Sequence, residues 1–144
     1  MTTETESTKP TPLARIEAAI NGHDLAALVA CFAADYQADF PAHPQRNFVG
    51  AKQVRQNWTE IFGRVPNISA RLIRSVEDGE RAWGEWAWEG TRQDGAAFAM
   101  AGVTLLEIAA DRVAASRFYM EPVDSAPGDV AADVRRLVET EVAR

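Results

Sequence analysis

The chain has one cysteine, Cys31, and two histidines, His23 and His43, among its 144 residues. A lone thiol excludes an internal disulfide. It falls within an apolar segment of helical spacing, where a small buried side chain rather than a reactive thiol is expected. With so few soft ligands a metal site depends on Asp and Glu, and no spacing of those residues suggests one, so neither metal nor cofactor is predicted. Basic charge is also scarce: 15 Lys and Arg stand against 21 Asp and Glu, giving a net charge of −6 and a pI near 4.9. That balance, with no Lys/Arg cluster, argues against a nucleic-acid partner, because phosphate binding needs a basic face. Long apolar runs are missing as well. The longest uncharged one, Leu25 to Ala34, is far short of the ~18 residues that span a bilayer. The start, MTTETESTKPTP, lacks the basic and apolar regions of a signal peptide, so a cytoplasmic protein with no membrane partner is expected. No Gly-rich phosphate loop and no alternating βαβ pattern occurs.

A hydrophobic fraction of 47% is enough for one domain with a real core. Residues 1 to 10 read as a disordered tail. Thr11 and Pro12 make a helix start, Leu13, Ile16 and Ile20 give its apolar stripe, and Asn21-Gly22 stops it. Asp24 caps a second helix in which Leu25, Leu28, Val29 and Phe32 recur at helical spacing. A short strand is expected at Tyr36 to Phe40, a loop at Pro41 to Gly50, and a third helix from Ala51 to Phe62 with Gly63 after it. Ile68 to Glu77 reads as a strand. Three longer strands then follow with short turns between them: Arg81 to Thr91, Ala97 to Ala109 and Arg112 to Glu121, the spacing of an antiparallel meander. Asp124 to Asp129 is a linker, and Val130, Val134, Leu137 and Val138 mark an amphipathic terminal helix. The order is that of an α+β fold with segregated elements and a curved sheet.

Strand residues alternate between faces, so each meander segment divides into two sets. One set is large and nearly uncharged: Gly84, Trp86, Trp88 and Gly90, then Phe98, Met100, Gly102, Thr104, Leu106 and Ile108, then Ala114, Ser116, Phe118 and Met120. It is assigned to the interior. The opposite set mixes charges with small apolar residues, and Val113 falls in it. Its stripe of Ala99, Ala101, Val103 and Leu105, with Trp83 and Tyr119 alongside, is more apolar than a solvated sheet face carries. A second copy, making a homodimer, or the terminal helix is expected to cover it.

The segments IEAAINGHDLAALVACFAADYQADFP, FVGAKQVRQNWTEIF, GEWAWEGT and LLEIAADRVAASRFYMEPV resemble the nuclear transport factor 2-like superfamily, in particular its SnoaL-like branch. The resemblance covers about residues 12 to 123, which bounds the domain at 11 to 123 and leaves 124 to 144 as linker and terminal helix. It implies a cone-shaped, bent antiparallel sheet wrapped around the N-terminal helices, a pocket inside, and pairing through the outer sheet surface. The branch holds cyclases, isomerases, dehydratases, epoxide hydrolases and non-catalytic binding modules, so fold alone does not choose a function. The acid and phenol positions of the isomerase pattern fall on Phe40, Ile16 and Thr104, and the epoxide-hydrolase aspartate falls on Phe118. None of these side chains can supply the required acid or phenol, which argues against both chemistries.

Asp39 is then the best placed carboxylate for a general base, although alternation turns it outward beside an inward Phe40. His43, in the loop that rims the pocket mouth in such folds, is the side chain best suited to proton transfer near neutral pH. His23 reads as a solvated turn residue, and Arg46 as a rim cation able to hold an anionic group. Trp58, Trp86, Trp88, Phe98, Met100, Thr104, Ser116, Phe118 and Met120 are expected to line an apolar chamber for a small hydrophobic ligand. Two readings stay open. One is a cyclase, isomerase or dehydratase of a polyketide-like or terpenoid-like substrate, the other a non-catalytic dimeric binding or assembly module.

Overall fold

A computed structural model describes residues 9–139 of the chain. The first helix, α1 (Pro12–Asn21), starts where Thr11 accepts the Ala14 N–H at 3.1 Å and Pro12 fills a position whose N–H has no helical partner anyway. Its stripe of Leu13, Ile16, Ala19 and Ile20 is buried. Asp24 caps α2 (Leu25–Ala30) by accepting the Ala27 N–H at 3.0 Å. Helical spacing carries that helix to Phe32, yet it stops at Ala30 and Phe32 opens a strand, β1 (Phe32–Asp39). The cause lies 81 residues away in sequence. Phe32 stands in register with Val113, and the Val113 N–H donates to the Cys31 carbonyl at 2.8 Å, so distant pairing overrides local periodicity. The loop after β1 holds a 3-10 turn at Pro44–Arg46 and a two-residue strand, β2 (Phe48–Val49). Helix α3 (Ala51–Arg64) runs through Gly63 rather than ending before it.

The meander follows the expected limits closely: β3 (Ser69–Glu77), β4 (Arg81–Thr91), β5 (Ala97–Ala109) and β6 (Arg112–Pro122), with α4 (Val130–Glu139) after the linker. All six strands form one sheet in the order β2-β1-β6-β5-β4-β3, in which β1 and β6 are parallel and the other neighbours antiparallel. Register pairs Trp88 with Met100, Trp86 with Gly102 and Thr104 with Phe118, placing the large uncharged set on the inner face. One residue changes sides. A bulge between Glu107 and Ile108 pairs Ile108 with Val113, and Val113 is fully buried although alternation assigns it to the outer set.

Two features of the backbone bring the layers together. At Gly102, φ is +153°, and a Cβ there would lie 2.1 Å from the Tyr119 carbonyl oxygen, so only glycine lets β6 come this close. A Cβ at Gly84 would meet Leu72 Cδ1 at 2.7 Å and Leu13 Cδ2 at 3.3 Å, where α1 rests on the sheet. Helix α1 also closes the β3 edge. Asn21 accepts the Ala70 N–H at 2.7 Å and donates to its carbonyl at 2.9 Å, and Glu17 accepts the Leu72 N–H at 2.8 Å.

The outer stripe stays open within one chain: Leu105, Trp83 and Tyr119 are 37%, 38% and 42% exposed, and α4 has no buried residue. Of the tail read over residues 1 to 10, residues 1–8 lie outside the described residues. Lys9 pairs with Asp111 at 3.0 Å, and the Pro10 carbonyl accepts from Arg15, which also donates to the Asp111 carbonyl at 2.6 Å. His23, exposed in its turn, is not merely solvated, since its Nε2 lies 2.9 Å from the Ile68 carbonyl and its ring meets Phe62.

Candidate functional site

A cavity of about 430 Å³ lies between the inner sheet face and the three N-terminal helices. The lining comes from every layer: Ile16 and Leu28 from α1 and α2, Tyr36 from β1, Val54, Asn57 and Trp58 from α3, and Trp86, Trp88, Met100, Thr104, Ser116 and Phe118 from the meander. Phe40, Arg46 and Phe48 add the loop side. Asn47 holds that loop by accepting the Phe40 N–H at 2.6 Å, and the Gly50 N–H donates to the Tyr36 carbonyl at 2.7 Å. Trp58 and Trp88 meet edge on with centroids 5.3 Å apart, as do Trp88 and Phe118 at 6.1 Å, while Phe40 and Phe118 are tilted at 5.0 Å.

The polar atoms of this wall are few and mostly paired. Tyr36 Oη and Ser116 Oγ share a buried hydrogen bond of 2.6 Å. Burial pushes the Tyr36 phenol above its ordinary value, the Ser116 bond opposes that shift, and the negative Asp39 nearby reinforces it. The phenol is therefore neutral near pH 7 and able to donate a hydrogen bond. Trp86 donates its indole N–H to Thr104 Oγ1 at 3.0 Å. The Trp88 indole N–H is buried with no partner among the described residues. Cys31, outside the lining, has its thiol pushed up chiefly by burial, with Arg15 working the other way, so it stays protonated. Among the described residues no group of three or more His, Cys, Asp or Glu is placed to hold a metal ion.

Of the residues expected in the chamber, Trp58, Trp86, Trp88, Met100, Thr104, Ser116 and Phe118 line it. Phe98 and Met120 do not: Phe98 sits beneath the Arg92 guanidinium, 5.7 Å from its ring centroid, and Met120 is buried core opposite Gly102. Asp39 is exposed, paired in register with Arg117, and borders an outer depression with Trp83 and Leu105 instead of the cavity. His43 lies between Phe40 and Arg46, both of which line the cavity, but does not line it. Its Nε2 is 2.8 Å from Glu121 Oε2. Ile16, Phe40, Thr104 and Phe118, the positions that the resemblance matches to catalytic acids and a phenol, all line the cavity, and none of them carries an acid or a phenol. Sequence reasoning passed over Tyr36. The alternation Tyr36, Ala38, Phe40 carried its inward direction, but nothing local announced the parallel β1–β6 pairing that sets it beside Ser116.

Among the described residues, no helix is long and apolar enough to cross a membrane. Comparison with curated protein sequences gives no match. Solved structures share the fold. A protein of ketosteroid isomerase-like fold from Catenulispora acidiphila DSM 44928, solved in complex with trimethylamine, is 22% identical with a TM-score of 0.63 over 78% of this chain and 87% of that one. A nuclear transport factor 2-like protein from Exiguobacterium sp. 255-15 is 20% identical, TM-score 0.64, over 80% of this chain and all 100% of that one. Another, from Burkholderia pseudomallei K96243, is 16% identical, TM-score 0.64, over 86% and 92%. The model of the SnoaL-like domain matches residues 13–116, well over half of the chain, and the protein belongs to the SnoaL-like domain family.

Proposed function

We propose that this SnoaL-like domain binds a small hydrophobic molecule in its inner cavity. The observation that carries the reading is the cavity itself: about 430 Å³, walled by aromatic and aliphatic side chains from every layer of the fold. Its two internal hydrogen bonds, Tyr36 to Ser116 and Trp86 to Thr104, leave the wall largely apolar. The neutral dye N-phenyl-1-naphthylamine tests the reading. Its fluorescence should rise saturably with the protein, and Met100→Trp, which fills the space, should abolish the rise. Binding should stabilise the fold by roughly 2.7 kcal/mol at a hundredfold excess over the dissociation constant. Absence of saturable binding in the parent protein defeats the proposal.

A second reading, an enzyme that cyclises, isomerises or dehydrates a polyketide-like or terpenoid-like substrate, is favoured by one observation. The Tyr36 and Ser116 hydroxyls form a hydrogen-bonded pair inside an apolar chamber, where a neutral phenol can donate a hydrogen bond to a substrate oxygen and polarise it. His43, oriented by Glu121, is the rim alternative, and Asp39 the outer one. A positioned proton-transfer group is worth about 10² to 10⁴ in rate. Where turnover is found, Tyr36→Phe should collapse it with ligand affinity within severalfold. Loss of turnover in His43→Gln or Asp39→Asn with full activity in Tyr36→Phe would move the chemistry to the rim.

A further inference from the structure

Two charged side chains line the cavity, Arg46 on the loop between β1 and β2 and Glu60 on α3, and they differ in what surrounds them. Glu60 is neutralised within its own helix, where Arg64 Nε, one turn on, donates to its carboxylate. The Arg46 guanidinium has neither a carboxylate nor a carbonyl to donate to among the described residues. Being exposed as well as part of the lining, Arg46 stands where the cavity opens to solvent. The loop that carries it is fixed. The His43 and Arg46 N–H groups donate to the Phe40 and His43 carbonyls at 2.8 Å each, Asn47 accepts the Phe40 N–H at 2.6 Å, and His43 Nε2 lies 2.8 Å from Glu121 Oε2. The opening therefore carries one uncompensated positive charge on an ordered turn, in front of an aromatic and aliphatic wall.

We propose that the cavity takes an amphipathic carboxylic acid, its hydrocarbon body among the rings and its carboxylate at the opening beside Arg46. The inference rests on the ligand-binding reading and narrows its chemical class. Orientation follows from solvation. A carboxylate set deep among the rings is desolvated with no cation beside it, whereas at the opening it keeps water on one side and meets the guanidinium fork on the other. One guanidinium balances one negative charge, which favours a carboxylate over a doubly charged phosphate. The attraction is local, because a net charge of −6 repels anions from the molecule as a whole.

Naphthalene-2-carboxylate and naphthalene-2-carboxamide share one outline and differ by a charge, so titration calorimetry of both against the parent protein and Arg46→Gln isolates the contact. At low salt the carboxylate should bind the parent about fivefold more tightly than the amide, the upper range for a partly exposed ion pair. In Arg46→Gln the ratio should fall to one or below, since only the repulsion of the acidic molecule remains. The ratio in the parent should also fall as sodium chloride is raised to about 1 M, where the screening length is about 3 Å. That readout holds even if Arg46→Gln fails to fold. Equal affinities in the parent at low salt, a preference that survives in Arg46→Gln, or a ratio indifferent to salt each overturn the assignment. Binding of N-phenyl-1-naphthylamine without the carboxylate also overturns it. Failure of all three probes removes the ligand-binding reading beneath it.

Discussion

Tyr36 trades water for a single partner on folding. With its hydroxyl 2.6 Å from Ser116 Oγ, Tyr36→Phe leaves a buried serine unpaired and should cost about 1–3 kcal/mol in denaturant unfolding. The alkaline limb of stability carries a second sign of the same environment. The folded phenol is held above its ordinary value, chiefly by burial, so the neutral form is favoured in the native state. That contribution is complete below the unfolded tyrosine value of about 10 and is lost as pH rises through the folded value. Melting temperatures between pH 8 and pH 11 should fall less steeply in Tyr36→Phe than in the parent, and identical slopes would show that Tyr36 ionises freely. Thr104→Val removes the acceptor of the Trp86 indole and should cost about 1–3 kcal/mol.

Elements meet here through single side chains whose roles are visible only across the fold. Asn21, at the end of α1, serves as a helix stop in the sequence. In the folded chain it also pairs with both backbone groups of Ala70 and closes the edge of β3. Asn21→Ala should destabilise the fold by about 1–3 kcal/mol and raise amide exchange along β3 more than along β5. Uniform exchange would mean the edge is held by burial alone. Gly102 has the opposite character: β6 passes so near that any Cβ meets the Tyr119 carbonyl. Gly102→Ala should cost at least about 2 kcal/mol, from backbone strain together with overpacking, and a near-neutral melting temperature would show that the strands can separate there. Strand limits in the meander were legible because Gly and Asp turns bracket alternating runs. The end of α2 was not, because Phe32 satisfies helical spacing and strand pairing alike and only its register with Val113 decides.

At the scale of the whole molecule, the outer sheet face keeps large apolar side chains exposed. We propose that a second copy covers it, because Leu105, Trp83 and Tyr119 keep more than a third of their surface exposed beside Ala101, and Val130, Val134 and Val138 of α4 present further apolar area. Light scattering should give a dimer for the parent protein. Ala101→Glu, which sets an unpaired charge in the contact, should give a monomer with an unchanged melting profile of the fold. A monomeric parent protein overturns the proposal, and a dimeric Ala101→Glu variant moves the contact away from this stripe.

The sequence by itself determined the α+β order, the helix caps at Thr11 and Asp24, the meander, and the inward direction of Trp86, Trp88, Met100, Thr104 and Phe118. Caps, turns and two-residue alternation are local properties, carried by neighbouring residues whatever the rest of the chain does. Tertiary structure decided what alternation cannot reach: that Val113 crosses to the buried side at a bulge, that Phe98 and Met120 stand outside the cavity, and that Asp39 borders the opposite face. It also decided the polar centre of the site. Tyr36 and Ser116 are 80 residues apart, and only the parallel closure of β1 on β6, a pairing between distant segments with no periodic signature, joins them.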